Sequence, residues 1–324
     1  MSNYGTPDPK GFLKPLGSKP PLIVIVGPTA VGKTELALHL AERLNGEIVS
    51  ADSRLFYRGM DIGTAKPSTA ELARVPHYLI DVADPNETWS LAVFQQKACE
   101  AIDNIHRRGK LPFLVGGTGQ YIRAVTQGWT PPEVQPDERL REVLKGMQDE
   151  KGEAGIYWLH DKLRMLDPIS AEKIDARNFR RTIRALEVIF TTGQPFSAQR
   201  GKSDSPYRLI SLGLKRPRPE LYARIDERIE SMFANGLLNE VQKLLDAGNS
   251  PTLPSMSAIG YREAVAVVQG RMSLDEAKTQ MKRITRVFVR RQGNWFKEDD
   301  KQIKWFEATT PLESAEKYIA NEIG

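Results

Sequence analysis

The chain has 324 residues, with 46 Lys and Arg against 41 Asp and Glu and a formal net charge of +5. Its 40% apolar and 27% charged content excludes disordered and fibrous classes. No apolar run, including that at 22–26, exceeds five residues, against the ~20 residues a membrane helix needs.

No apolar stretch near the first residue resembles a signal peptide, and the single cysteine, Cys99, excludes an internal disulfide or a cysteine-built zinc site. A cytoplasmic monomer with no membrane span is expected. A small surplus of positive charge names no partner when spread evenly, so its placement decides.

Residues 1–21 hold five prolines and three glycines, which favours a mobile tail. The β-branched run at 22–26 predicts a strand buried on both faces. A glycine-rich turn follows, then a helix over 34–45 with Leu36, Leu40 and Leu44 at helical spacing. Further strands are expected at 47–51, 77–82 and 112–115, with a helix over 91–108. Alternating strands and helices predict an α/β fold, a parallel sheet with helices on both faces.

The pattern changes at Trp129-Thr130-Pro131-Pro132. From there the sequence is helical with almost no strand signal, which predicts an all-helical insertion domain at 130–199. The α/β core is expected at 22–129 and 200–324. It resumes with a strand at 207–214 and helices over 218–235, 236–247, 259–269 and 273–297, then a short final strand and helix.

Gly27-Pro28-Thr29-Ala30-Val31-Gly32-Lys33-Thr34 matches G-x-x-x-x-G-K-[ST] between a buried strand and a helix, as in P-loop NTPase-like folds. Glycines let consecutive N–H groups face one concavity, and the helix start adds its dipole. Lys33 supplies a point charge and Thr34 a hydroxyl ligand for Mg²⁺. The 112–115 strand, however, ends in Gly116-Gly117-Thr118-Gly119, where a nucleotide hydrolase would carry an Mg²⁺-binding acid. The cradle therefore need not serve phosphoryl transfer. Asp52, just after the second strand, sits where parallel sheets bind ligands. It reads equally as a general base or as a helix cap or ribose contact.

Four segments together resemble the tRNA dimethylallyltransferases. They are Gly27–Thr34, Asp52-Ser53 through Tyr57-Arg58-Gly59-Met60-Asp61-Ile62-Gly63-Thr64-Ala65-Lys66-Pro67, Val115 through Tyr121, and Ala258-Ile259-Gly260-Tyr261-Arg262-Glu263. The resemblance runs from about residue 22 to beyond 300 and points to the bacterial form, since the chain lacks the cysteines of the eukaryotic zinc-finger extension. It implies transfer of a dimethylallyl group from dimethylallyl diphosphate to N6 of adenosine-37, beside the tRNA anticodon. The cradle would then hold the leaving diphosphate with Mg²⁺. Asp52 would take the N6 proton, Thr118 would stand near the reacting centre, and Arg224 would contact the diphosphate. Asp52, Ser53, Arg54, Leu55, Gly260, Tyr261 and Arg262 would touch the anticodon stem-loop.

Two basic clusters fit an RNA partner. Arg177, Arg180, Arg181 and Arg184 lie in the insertion, with 177, 181 and 184 expected on one helical face. Lys282, Arg283, Arg286, Arg290, Arg291 and Lys297 follow in the last long helix. Either run alone is an ordinary solvated face; with the resemblance they read as phosphate contacts. The four histidines have no metal spacing, and Cys99, Trp295 and Phe296 read as packing residues. The rival readings are a prenyltransferase acting on free AMP or ADP, a small-molecule kinase, and a non-catalytic RNA-binding protein.

Overall fold

The computed structural model describes residues 19–323 apart from 133, 151, 153, 200 and 311. The expected mobile tail therefore lies outside the described residues up to position 18, while its last residue, Pro21, already belongs to the first strand. Among the described residues the strands are β1 (Pro21–Val26), β2 (Gly46–Ser50), β3 (His77–Tyr78), β4 (Leu111–Gly116), β5 (Trp129–Thr130), β6 (Gly201–Lys202), β7 (Arg208–Lys215) and β8 (Ile303–Glu307).

Six of them form one sheet in the order β3-β2-β4-β1-β7-β8, with every neighbouring pair parallel. Central β1 aligns Ile23 with Phe113 of β4 and with Ile210 of β7. Its Leu22, Ile23 and Ile25 are fully buried, which is why this strand reads as an unbroken apolar run. Helices flank the sheet. In Lys33–Arg43, the buried Leu36, Leu40 and their neighbours form the inward stripe.

Several expectations need correction. The strand predicted over 77–82 stops at Tyr78, because Leu79 (φ 62°) and Asp81 (φ 54°) adopt left-handed backbone that a pleated strand cannot contain. The helix predicted over 273–297 ends at Gln292, so Lys297 lies beyond it. Two further short helices, Thr69–Arg74 and Gly119–Thr126, are also present.

The chain divides into two compact units, one built from the residues up to Thr126 and from Ser205 onward, the other from Gln127–Asp204. The second unit contains helices Glu138–Asp149, Ala154–Leu166, Pro168–Lys173 and Phe179–Thr192 and an antiparallel β5–β6 ribbon. Each ribbon strand is two residues long, too short to show an alternating pattern. Its own core contains Leu144, Leu159, Leu163, Leu186 and Val188. Buried Glu187 accepts hydrogen bonds from Arg141, Arg184 and the Asp137 amide, and so joins two helices of this unit.

Candidate active site

β1 delivers the chain into the phosphate loop at Gly27. Gly27 (φ 151°) and Gly32 (φ 115°) occupy backbone regions that favour glycine, and Ala30 (φ 66°) shares the left-handed turn. Helix Lys33–Arg43 starts at Gly32 with no side chain bonded over its first turn. Its open amides add positive potential where Gly32, Lys33 and Thr34 line a cavity of about 540 Å³.

Cations crowd this cavity. Lys33 Nζ donates to the Gly27 and Pro28 carbonyls at 3.0 and 2.8 Å. Burial holds its ammonium well below the usual lysine range, at about 8, with Asp52 opposing that shift and Arg228 adding to it. On helix Arg218–Ala234, Arg224 Nε donates to the Ala30 carbonyl at 2.9 Å and Arg228 Nη2 to the Thr64 carbonyl at 3.2 Å. Burial also lowers the Arg228 pKa. Arg228 follows Arg224 by one helical turn, a spacing that could have revealed it in the sequence.

Asp52 follows β2 in a tight turn closed by the Arg54 N–H on Asp52 Oδ1 at 2.9 Å. That bond is local, yet Asp52 does not cap a helix. Asp52 also lines a second cavity of about 460 Å³, with Ser53, Arg54, Thr118, Arg291 and Trp295. The two cavities share Thr29, Asp52, Thr64, Gly117 and Arg228 in their walls. Thr118 begins the helix Gly119–Thr126 and its carbonyl accepts the Tyr121 and Ile122 amides. Leu55 lines the first cavity only.

Two further residues at this site escaped sequence reasoning. Gln292, 4% exposed, accepts the Thr29 N–H at 2.9 Å and donates to the Gly117 carbonyl at 3.0 Å. A Cβ at Gly117 would stand 2.3 Å from Gln292 Nε2, so a larger residue there would displace the Gln292 amide. Glu240 receives the Asp61, Ile62 and Gly63 amides at 3.0, 2.8 and 3.3 Å. It thereby shapes the distinctive 59–67 run, whose Gly63 and Thr64 reach the cavity walls. A lone Gln or Glu carries no motif, so no local signal marked either.

The residues expected to meet RNA fall into several settings. Tyr261 is fully buried with its hydroxyl on Glu240, so its side chain is not on a surface. Gly260 donates its amide to buried Glu263, and exposed Arg262 pairs with the same acid. Arg177 precedes the helix, which starts at Phe179 after an Asn178 cap, and it pairs with Asp175; the expected shared face with 181 and 184 does not form. Arg184 is held by Glu187 and the Val134 carbonyl. Arg180 and Arg181 are exposed and have no ion pair among the described residues. Arg286 pairs with Asp226 and lies over the Tyr222 ring, and Lys282 pairs with Glu230. Arg283, Arg290 and Arg291 are exposed.

Trp295 packs against Gly119 and under the Arg123 guanidinium, and Phe296 is buried. His77, His106 and His160 each bond backbone carbonyls.

Comparison with known proteins places this geometry. The model of the IPP transferase family matches residues 55–299, and an isopentenyl transferase model matches residues 20–84. A tRNA dimethylallyltransferase from a Roseiflexus species is 54% identical over 277 residues, covering 86% of this chain and 90% of that one. One from Geobacter sulfurreducens is 45% identical over 301 residues, covering 92% and 95%.

Among solved structures, the full-length tRNA isopentenylpyrophosphate transferase of Bacillus halodurans superposes with a TM-score of 0.69 at 42% identity, covering 94% of this chain and 97% of that one. A eukaryotic dimethylallyltransferase acting on tRNA gives 0.72 at 26% identity, covering 94% and 77%. The chain therefore belongs to the IPP transferase family, the family of the tRNA dimethylallyltransferases.

Proposed function

We propose that this enzyme transfers the dimethylallyl group of dimethylallyl diphosphate to N6 of adenosine-37 in the tRNA anticodon loop. The observation that carries the reading is the position of Asp52 in the common wall of two cavities. One of these holds the phosphate loop with Lys33, and the other holds Thr118 and Arg291. The names and extents of the relatives support the acceptor and donor classes.

The chemistry follows from these groups. An exocyclic adenine amine is a weak nucleophile, so Asp52 accepts its proton as the new C–N bond forms. The allylic C–O bond breaks, and its electron pair leaves with the diphosphate. Charge gathering there meets Lys33, Arg224, Arg228 and the amides of Gly32, Lys33 and Thr34 at the helix start. Thr118 stands beside the reacting carbon and helps to align it. Ser53, Arg54, Arg262 and the exposed arginines 180, 181, 283 and 290 hold the RNA backbone and the unstacked loop.

The donor set also suits Mg²⁺. Thr34 presents a hydroxyl in the first cavity, and no group of three or more His, Cys, Asp or Glu stands ready for a metal among the described residues. Such a site fits an ion held mainly by diphosphate oxygens and water. When bound, Mg²⁺ would neutralise part of the diphosphate charge.

The direct test is incubation of the purified protein with labelled dimethylallyl diphosphate, Mg²⁺ and unmodified tRNA, with AMP as a parallel acceptor. Label in tRNA at adenosine-37 is expected. Label in AMP alone, or none with folded protein, would overturn the reading.

A further inference from the structure

We infer that Gln292 is a positioning residue that ties the phosphate loop to the Gly117–Thr118 turn, setting the spacing between the leaving group and the acceptor side. The inference rests on the transfer reaction proposed above.

Three side chains hold the outer backbone of the phosphate loop. Lys33 bonds the Gly27 and Pro28 carbonyls, and Arg224 bonds the Ala30 carbonyl. Both are cations that a diphosphate attracts, so their loop contacts compete with the ligand. Gln292 is the third, and it is neutral. Its amide spends its acceptor on the Thr29 N–H and its donor on the Gly117 carbonyl, and nothing about a bound anion draws it away. It is therefore the tether that persists when the cradle fills.

The contact also has a direction. Because the Thr29 amide is committed to Gln292, the 28–29 peptide is oriented by a residue outside the loop. The other end of the same side chain grips Gly117, one residue before Thr118. Thr29 and Gly117 both stand in the walls of both cavities, so one buried amide spans the seam where transfer would occur. A bridge of this kind needs one donor and one acceptor at the same side-chain end, which excludes Met and an ionised Glu. A protonated Glu carries both.

That property supplies the test. Gln292→Met and Gln292→Glu are compared with wild type by kcat, by KM for each substrate across pH, and by thermal unfolding. Loss of positioning predicts a kcat fall on the order of 10²-fold for Q292M, with the tRNA KM changed by less than about threefold. Q292E should exceed Q292M, with its rate relative to wild type rising as pH falls and the buried carboxyl takes up a proton. Q292M at wild-type kcat, or Q292E no better than Q292M at every pH, would overturn the inference. So would losses that only track the unfolded fraction.

Binding of inorganic pyrophosphate, followed by calorimetry, separates this inference from the reaction itself. If wild type transfers no prenyl group, the proposed function fails. A several-fold weaker pyrophosphate affinity in Q292M would still support the tether, and equal affinity would count against it.

Discussion

Strand β2 carries one acid near each end, and the two live under opposite conditions. Glu47, near its start, is fully buried and accepts from Arg108, Lys110 and Tyr78. Burial alone would raise its pKa, but those donors bring it down to about 2. Asp52, just past the other end, has one carboxylate hydrogen bond among the described residues, from its own turn. Its surroundings hold two cations, Lys33 and Arg228, whose pKa values burial lowers. At the amino end of the strand the charges are mutually satisfied, which gives stability. At the carboxyl end positive charge is collected and left short of anions, which suits a site that an anion completes.

The sharpest way to break this contrast is at Asp52. Asp52→Asn keeps the side chain's shape and its turn bond but removes the base. Transfer to tRNA should fall by roughly 10²–10⁴-fold, the usual range for a lost general base. Affinity for tRNA and the unfolding midpoint should stay near wild type, as checked by filter binding and calorimetry. Transfer at near wild-type rate would remove Asp52 from the chemistry.

Glu47→Gln should do the reverse. Stability should drop by on the order of 2 kcal/mol, discounted because Arg108 and Lys110 are about a third exposed and can be rehydrated, while the rate per folded molecule stays unchanged. The sign with pH follows from the depressed pKa. Its contribution is complete above the unfolded value of about 4.5 and is lost as pH falls toward about 2. Denaturant titrations of the two proteins should therefore converge with acid.

Lys33→Met should weaken pyrophosphate binding by tenfold or more and yet stabilise the free protein at neutral pH. The folded pKa of Lys33 lies below its unfolded value, so the charged amine costs stability that is recovered as pH rises from about 8 to 10.5. A gain on the order of 1 kcal/mol remains after the lost bonds to Gly27 and Pro28 are counted. In wild type, pyrophosphate affinity should decline as pH passes about 8. A pH-independent affinity would show that Lys33 stays charged throughout.

How much of this was legible in the sequence depends on distance along the chain. The 22–26 run and the adjoining Gly27–Thr34 loop are contiguous, so periodicity and motif chemistry disclosed both the central strand and the cradle. Asp52 was visible by its place after a strand, although position alone left its role open. Gln292 was not, because its partners Thr29 and Gly117 lie 263 and 175 residues away. Glu240 likewise grips residues 61–63 from another helix. The left-handed Leu79 and Asp81 that end β3 are non-glycine residues, which sequence patterns do not mark for such turns.

The helical unit repeats the contrast on a smaller scale, within one helix. Arg184 is spent on buried Glu187, three residues on, a pair visible from helical spacing alone. Arg180 and Arg181 face solvent without an ion pair among the described residues. If this surface meets the RNA backbone, Arg180→Ala and Arg181→Ala should each weaken tRNA affinity by a few-fold. Each should also reduce the slope of log K against log salt by about one, with no change in unfolding. Arg184→Ala should instead leave a buried carboxylate short of one partner, lowering the stability of the 127–204 unit by ~1–3 kcal/mol. Its salt slope should match that of wild type. Salt titrations of the three variants side by side separate the two roles, and a reduced slope for Arg184→Ala would mean that its guanidinium leaves Glu187 for a phosphate when tRNA binds.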